Sequence, residues 1–213
     1  MDALNQAKEL FLTALEHQNR GELAQAELLY RKALELAPER PSVINNLAAV
    51  LLQLKRHDEA KSWLEKLLAL DAGNVAAVLN YGNCLLALKS PAAALKHFDD
   101  ALALKPDYAE ALIGRGKALI ELKRPEEALA SCERALAIRP HDIEALNNRG
   151  AALLELRLPD EALASFDQVL ALKPDYAELH SNRGNALHDL KRYEEALASY
   201  GQALTLRGST RRF

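Results

Sequence analysis

A spacing of 34 residues runs through the chain and constrains its fold more than any local motif. Alanine recurs at Ala26, Ala60, Ala94, Ala128, Ala162 and Ala196, glycine at Gly82, Gly116, Gly150 and Gly184, and proline at Pro106, Pro140 and Pro174. Three residue types that share one period mark an array of similar units, none able to bury its apolar face alone. The segment ALIGRGKAL, residues 111–119, shows why the period matters. Its glycines and lysine hint at a phosphate loop, but the spacing is wrong and no strand precedes it. Its counterparts one period before and one and two periods after are AVLNYGNCL, ALNNRGAAL and LHSNRGNAL. Apolar residues at helical spacing, such as Leu112, Leu119 and Ile120, make it a helix with Gly116 as a small packing residue.

Each period reads as two antiparallel helices, A and B. Asp107 with Glu110, and Asp175 with Glu178, predict capping boxes ahead of two A helices. Pro91, Pro125 and Pro159 suit the first turn of B helices, as do the acids Glu126 and Glu127. Pro140 stops the B helix that ends near Arg139. The composition, 49% hydrophobic and 27% charged, is that of a folded, water-soluble chain. A net charge of −3 argues against a nucleic-acid partner, and the apolar runs are too short for a membrane one. Cys84 and Cys132 form no CxxC pair, and the first residues lack a signal-peptide pattern; both point to the cytoplasm.

The third period offers Val78, Tyr81-Gly82, Leu85, Ala94, Phe98, Ala101 and Pro106. The fifth offers Leu146, Gly150, Leu153, Ala162, Phe166, Val169 and Pro174. In this order they resemble the signature of the tetratricopeptide repeat family. The resemblance covers six repeats: 7–40, 41–74, 75–108, 109–142, 143–176 and 177–210, with 1–6 extending the first helix and 211–213 as a tail. It implies an all-α fold, a right-handed superhelix (alpha-alpha solenoid) of helix-turn-helix repeats with A helices on the concave side. The chain departs from the signature at Ala14 and Ala48 for glycine, Ala72 and Gly208 for proline, and Arg115, Arg149 and Arg183 for leucine.

Nothing in the chain carries a catalytic signature, and His17, His57, His97, His141, His180 and His188 fall at scattered repeat places. The segment is therefore expected to be no enzyme and to use no catalytic residue, cofactor or metal. The groove is different. The family places it at particular positions of helix A. Asn46, Asn80, Asn148 and Asn182 stand at the sixth place, Asn45 and Asn147 at the fifth, and Asn83, Asn185 and Lys117 at the ninth. Asparagine is a mediocre helix former, but its amide both donates and accepts, so it can pair with an extended peptide backbone. The alternative is that these amides bond one another between repeats. Such a ladder resembles that of O-linked N-acetylglucosamine transferases, which implies two functions. The first is a scaffold binding an extended protein or peptide segment. The second is the substrate-recognition arm of a larger glycosyltransferase. Glu110, Glu144 and Glu178 at the second place favour a net-basic ligand, and Phe11, Leu12, Leu15, Leu79 and Leu86 make the N-terminal half apolar. Helix B of the sixth repeat, with Leu197, Tyr200 and Leu204 in register, is expected to be a point of self-association.

Overall fold

Every regular element in the computed structural model, which describes residues 2–209, is a helix. Two compact units share them. The first, ending at Pro106, holds α1 (Ala3–Asn19), α2 (Leu23–Leu36), α3 (Pro41–Gln53), α4 (His57–Leu70), α5 (Val75–Ala87) and α6 (Pro91–Leu104). The second, from Asp107, holds α7 (Ala109–Glu121), α8 (Pro125–Ile138), α9 (Ile143–Glu155), α10 (Pro159–Leu172), α11 (Ala177–Asp189) and α12 (Tyr193–Ser209). Odd-numbered helices are A helices and even-numbered ones B. Proline opens α6, α8 and α10, where its fixed φ fits and its missing N–H costs nothing.

The turn from A to B is built the same way each time. The N–H of Arg56 bonds the Leu51 carbonyl at 2.9 Å and that of Lys55 the Leu52 carbonyl at 3.0 Å, which satisfies the orphan carbonyls of α3. The geometry needs one left-handed residue. Gly21 supplies it after α1 with φ 77°, but Lys55, Lys89, Lys123, Arg157 and Lys191 supply it elsewhere with φ between 58° and 63°. A side chain there costs roughly 1–2 kcal/mol, so the turn is imposed by the packing of the two helices it joins.

The capping boxes do not form as expected. The residues that cap α7 and α11 are Tyr108 and Tyr176, one residue beyond Asp107 and Asp175, and neither makes a side-chain cap bond. Repeat register sets where the helix starts, and it leaves those aspartates outside. Where that register position holds Asn74 or Asp142, capping does occur. Asn74 accepts the Ala77 N–H at 3.1 Å, and Asp142 accepts those of Glu144 and Ala145 at 3.0 Å.

Each helix pair closes on one contact between a small residue of A and a large one of B. A Cβ built on Gly82 would lie 2.8 Å from the Phe98 ring, and one on Gly184 would lie 2.5 Å from the Tyr200 ring. A Cβ on Gly150 would lie still closer to the Phe166 ring, and one on Gly116 would lie 2.8 Å from the Cys132 sulfur. Tyr30, Phe98 and Phe166 are fully buried, so these contacts form the centre of the core. Helix α7 carries a second glycine, Gly114, two residues before Gly116 and within the same turn. Each glycine lowers helix stability by about 1 kcal/mol relative to alanine. Amide hydrogen exchange in residues 110–120 is therefore expected to be faster than in 144–154, measured by mass spectrometry on the intact protein. Equal protection of the two segments would contradict this.

Candidate protein-interaction surface

Within the first unit α3 touches both α1 and α5, and within the second α9 touches both α7 and α11. Among the described residues, no B helix touches another B helix within either unit. Each unit is thus bent around its A helices, and the A-helix face is its concave side.

The amides on this face bond across repeats. Asn80 Nδ2 donates to Asn45 Oδ1 at 2.9 Å in the first unit, and Asn182 Nδ2 donates to Asn147 Oδ1 at 3.0 Å in the second. Asn148, which is buried, donates to the Ile113 carbonyl at 3.5 Å. Every one of these bonds joins the sixth place of one repeat to the fifth place of the repeat before it. Asn46 and Asn185 serve phenols instead. Tyr30 is fully buried, and its hydroxyl donates to Gln18 Oε1 at 2.7 Å. Burial pushes that phenol up to about 12, and a hydrogen bond with Asn46 pulls it back. Asn185 Oδ1 accepts the Tyr200 hydroxyl at 2.8 Å. Asn83 is exposed. An amide has two N–H donors and two lone pairs, so one amide–amide bond leaves capacity on both partners.

The charged residues divide. Glu110 is paired with Arg139 across the ends of α7 and α8, so its charge is already met. Glu144 and Glu178 are exposed, as is Lys117. The expected apolar half is narrower than the sequence suggests. Leu79 and Leu86 are buried in the first unit and so are not offered to a ligand, whereas Leu12 is half exposed.

Arg115, Arg149 and Arg183 belong to helix packing. Their guanidinium groups donate to the hydroxyls of Ser131, Ser165 and Ser199 at 2.7, 3.0 and 2.7 Å. The Ser131 and Ser165 hydroxyls in turn donate to the carbonyls of Glu127 and Glu161, both at 2.9 Å. Arg183 also meets Asp167 at 2.6 Å. In the third repeat the same two places hold Tyr81 and His97, whose rings meet edge-on at 4.8 Å. The sequence reading did not pair these places; the signal available was the shared 16-residue spacing of Arg115–Ser131, Arg149–Ser165 and Arg183–Ser199.

Cys84 donates to the His57 carbonyl at 3.2 Å, and Cys132 is fully buried. Among the described residues no group of three or more His, Cys, Asp or Glu is placed to hold a metal, and no helix is long and apolar enough to cross a membrane.

Two family models described as tetratricopeptide repeat match the sequence, one over residues 19–80 and 85–149, the other over 147–209. The chain belongs to the tetratricopeptide repeat family. Its fold is close to that of several solved tetratricopeptide proteins. The type IV pilus biogenesis factor PilW is 21% identical with a TM-score of 0.83, over 92% of this chain and 91% of that one. A tetratricopeptide repeat protein from Parabacteroides merdae is 19% identical with a TM-score of 0.74, over 96% and 85%. YrrB, described as a TPR protein with an unusual peptide-binding site, is 26% identical with a TM-score of 0.63, over 84% and 92%. No curated protein matches the sequence. Membership of the tetratricopeptide family makes the chain a protein-interaction scaffold, a fold that is generally non-catalytic.

Proposed function

We propose that the A-helix face of each unit binds an extended, net-basic protein segment, read chiefly through its backbone. The observation that carries this is the row of partly exposed amides on the concave side, whose bonds between repeats use only part of their donors and acceptors. Asn45 with Asn80, and Asn147 with Asn182, hold their head groups in fixed positions on the concave side while remaining partly exposed. Fixed amides pay little ordering entropy on binding, and their remaining donors and acceptors match a peptide backbone. The exposed Glu144 and Glu178 favour cationic side chains on the ligand. YrrB, similar in fold, is a repeat protein with a peptide-binding site, which agrees with this use of the face. A cytoplasmic setting is part of the proposal and rests on the unpaired cysteines.

The test begins with peptides selected on the intact protein from a random library, followed by titration against a variant with Asn46, Asn80, Asn148 and Asn182 all changed to alanine. Binding is expected to weaken at least tenfold while the helical circular dichroism is kept. Selected peptides should also carry excess lysine and arginine. Peptides that bind the variant as tightly would show that the amides brace repeats and do nothing more.

A further inference from the structure

Gly82, Gly116, Gly150 and Gly184 of the A helices are each explained by a side chain that they face, but Gly201 is not. It lies within α12, where glycine weakens the helix, and a Cβ built there meets no atom within 4 Å. The same is true of Gly208. Around them, Leu197 is 70% exposed and Leu204 is 69% exposed. Residues 197, 201, 204 and 208 are four, three and four apart, so they fall on one narrow stripe of the helix. The stripe alternates leucine, glycine, leucine, glycine.

Stacking of a further repeat does not call for this pattern. Where α11 stacks on α10, the places equivalent to Leu197 and Leu204 hold Leu163 and Leu170, both covered to some degree. The place equivalent to Gly201 there holds Asp167, which receives Arg183 of α11 at 2.6 Å. An ordinary A helix therefore packs beside a charged side chain at this position. Removing the Cβ serves a neighbour that comes closer.

We propose that α12 pairs antiparallel with α12 of a second copy of this chain about a two-fold axis. The pattern is complementary to itself under that operation. With the axis midway between residues 202 and 203, Leu204 lies opposite the other copy's glycine at 201, and Leu197 lies opposite the one at 208. Each leucine fills the gap that a glycine leaves, and the two backbones approach below the usual 8–10 Å between helix axes. Charge agrees with this direction. Arg192 already holds Glu195, but Glu194 in the first turn of α12 and Arg207 in its last come nearer each other across an antiparallel pair than across a parallel one, and the helix dipoles then oppose. A self-complementary patch on one element is what a closed two-fold interface requires.

The test is mass by light scattering and sedimentation equilibrium over a micromolar to millimolar series. The unaltered protein is expected to pass to twice the chain mass. Gly201→Leu improves helix propensity and meets open space, so it leaves the fold intact, yet it should raise the dimer dissociation constant at least tenfold. Leu204→Ala should do likewise. A chain that stays monomeric throughout the series overturns the proposal. So does a dimer that survives Gly201→Leu, and one lost on changing Leu4→Glu in α1, which would assign the contact to the opposite end of the chain.

Discussion

Gly150→Ala is expected to destabilise the protein by about 1–3 kcal/mol, even though alanine is the better helix former by about 1 kcal/mol. The added methyl would enter the Phe166 ring, which is fully buried and has no open space to move into. The second repeat shows how the same contact is met with other residues. There Ala48 stands where the later repeats have glycine, and Leu64 stands where the third, fifth and sixth have a ring; both are fully buried. Changing Phe166→Leu alone should cost about 1–2 kcal/mol through lost contacts and a small cavity. Made together, the two changes rebuild the second-repeat pair, and the double variant should recover most of the loss from Gly150→Ala. The coupling energy in a double-mutant cycle is expected to exceed about 1 kcal/mol. Urea unfolding followed by circular dichroism supplies all four values. Additive effects would show that the glycine and the ring are not matched to each other.

Alkaline pH should unfold the protein through Cys132. Burial pushes this thiol up to about 12, with Glu133 acting the same way and Arg149 opposing. The unfolded thiol titrates near its ordinary 9.0. Between the two values the folded state keeps a proton that the unfolded state has lost. The stabilisation is whole below pH 9 and drains away as pH rises toward 12. The slope approaches about 1.4 kcal/mol per pH unit. Tyr30, raised from 10.0 to about 12 by burial, adds a second loss of the same sign that begins near pH 10. Cys132→Ala should therefore lessen the slope between pH 9 and 10, leaving the share of Cys84, whose thiol burial also raises, and the fall above pH 10 that Tyr30 and Tyr81 bring. Should the slope between pH 9 and 10 be the same in both proteins, the thiol is not its source.

Much of this architecture was legible in the chain itself. A 34-residue period with proline at the start of B helices specifies helix pairs because proline, glycine and alanine act locally, through φ, steric size and backbone donors. The same register sets Cys132 at the place of Phe98 and Phe166, and the structure has it fully buried against Gly116. Local signals also misled. An acid three residues ahead of another acid reads as a capping box, but Asp107 lies outside α7 because the repeat register starts the helix at Ala109. The cations in the left-handed turns carried no mark in the sequence, since glycine would ordinarily be expected there.

The partners of the asparagines were settled only by tertiary packing. Asn46 and Asn80 hold the same place in successive repeats, so period and propensity treat them alike. Yet Asn46 bonds the buried phenol of Tyr30, and Asn80 bonds the amide of Asn45. Asn83 and Asn185 diverge in the same way, because only the latter faces a ring with a hydroxyl, Tyr200. Repetition determines where each amide stands along its helix. What it bonds depends on which polar atom the neighbouring helix brings within about 3 Å, a distance set by side-chain size across the contact.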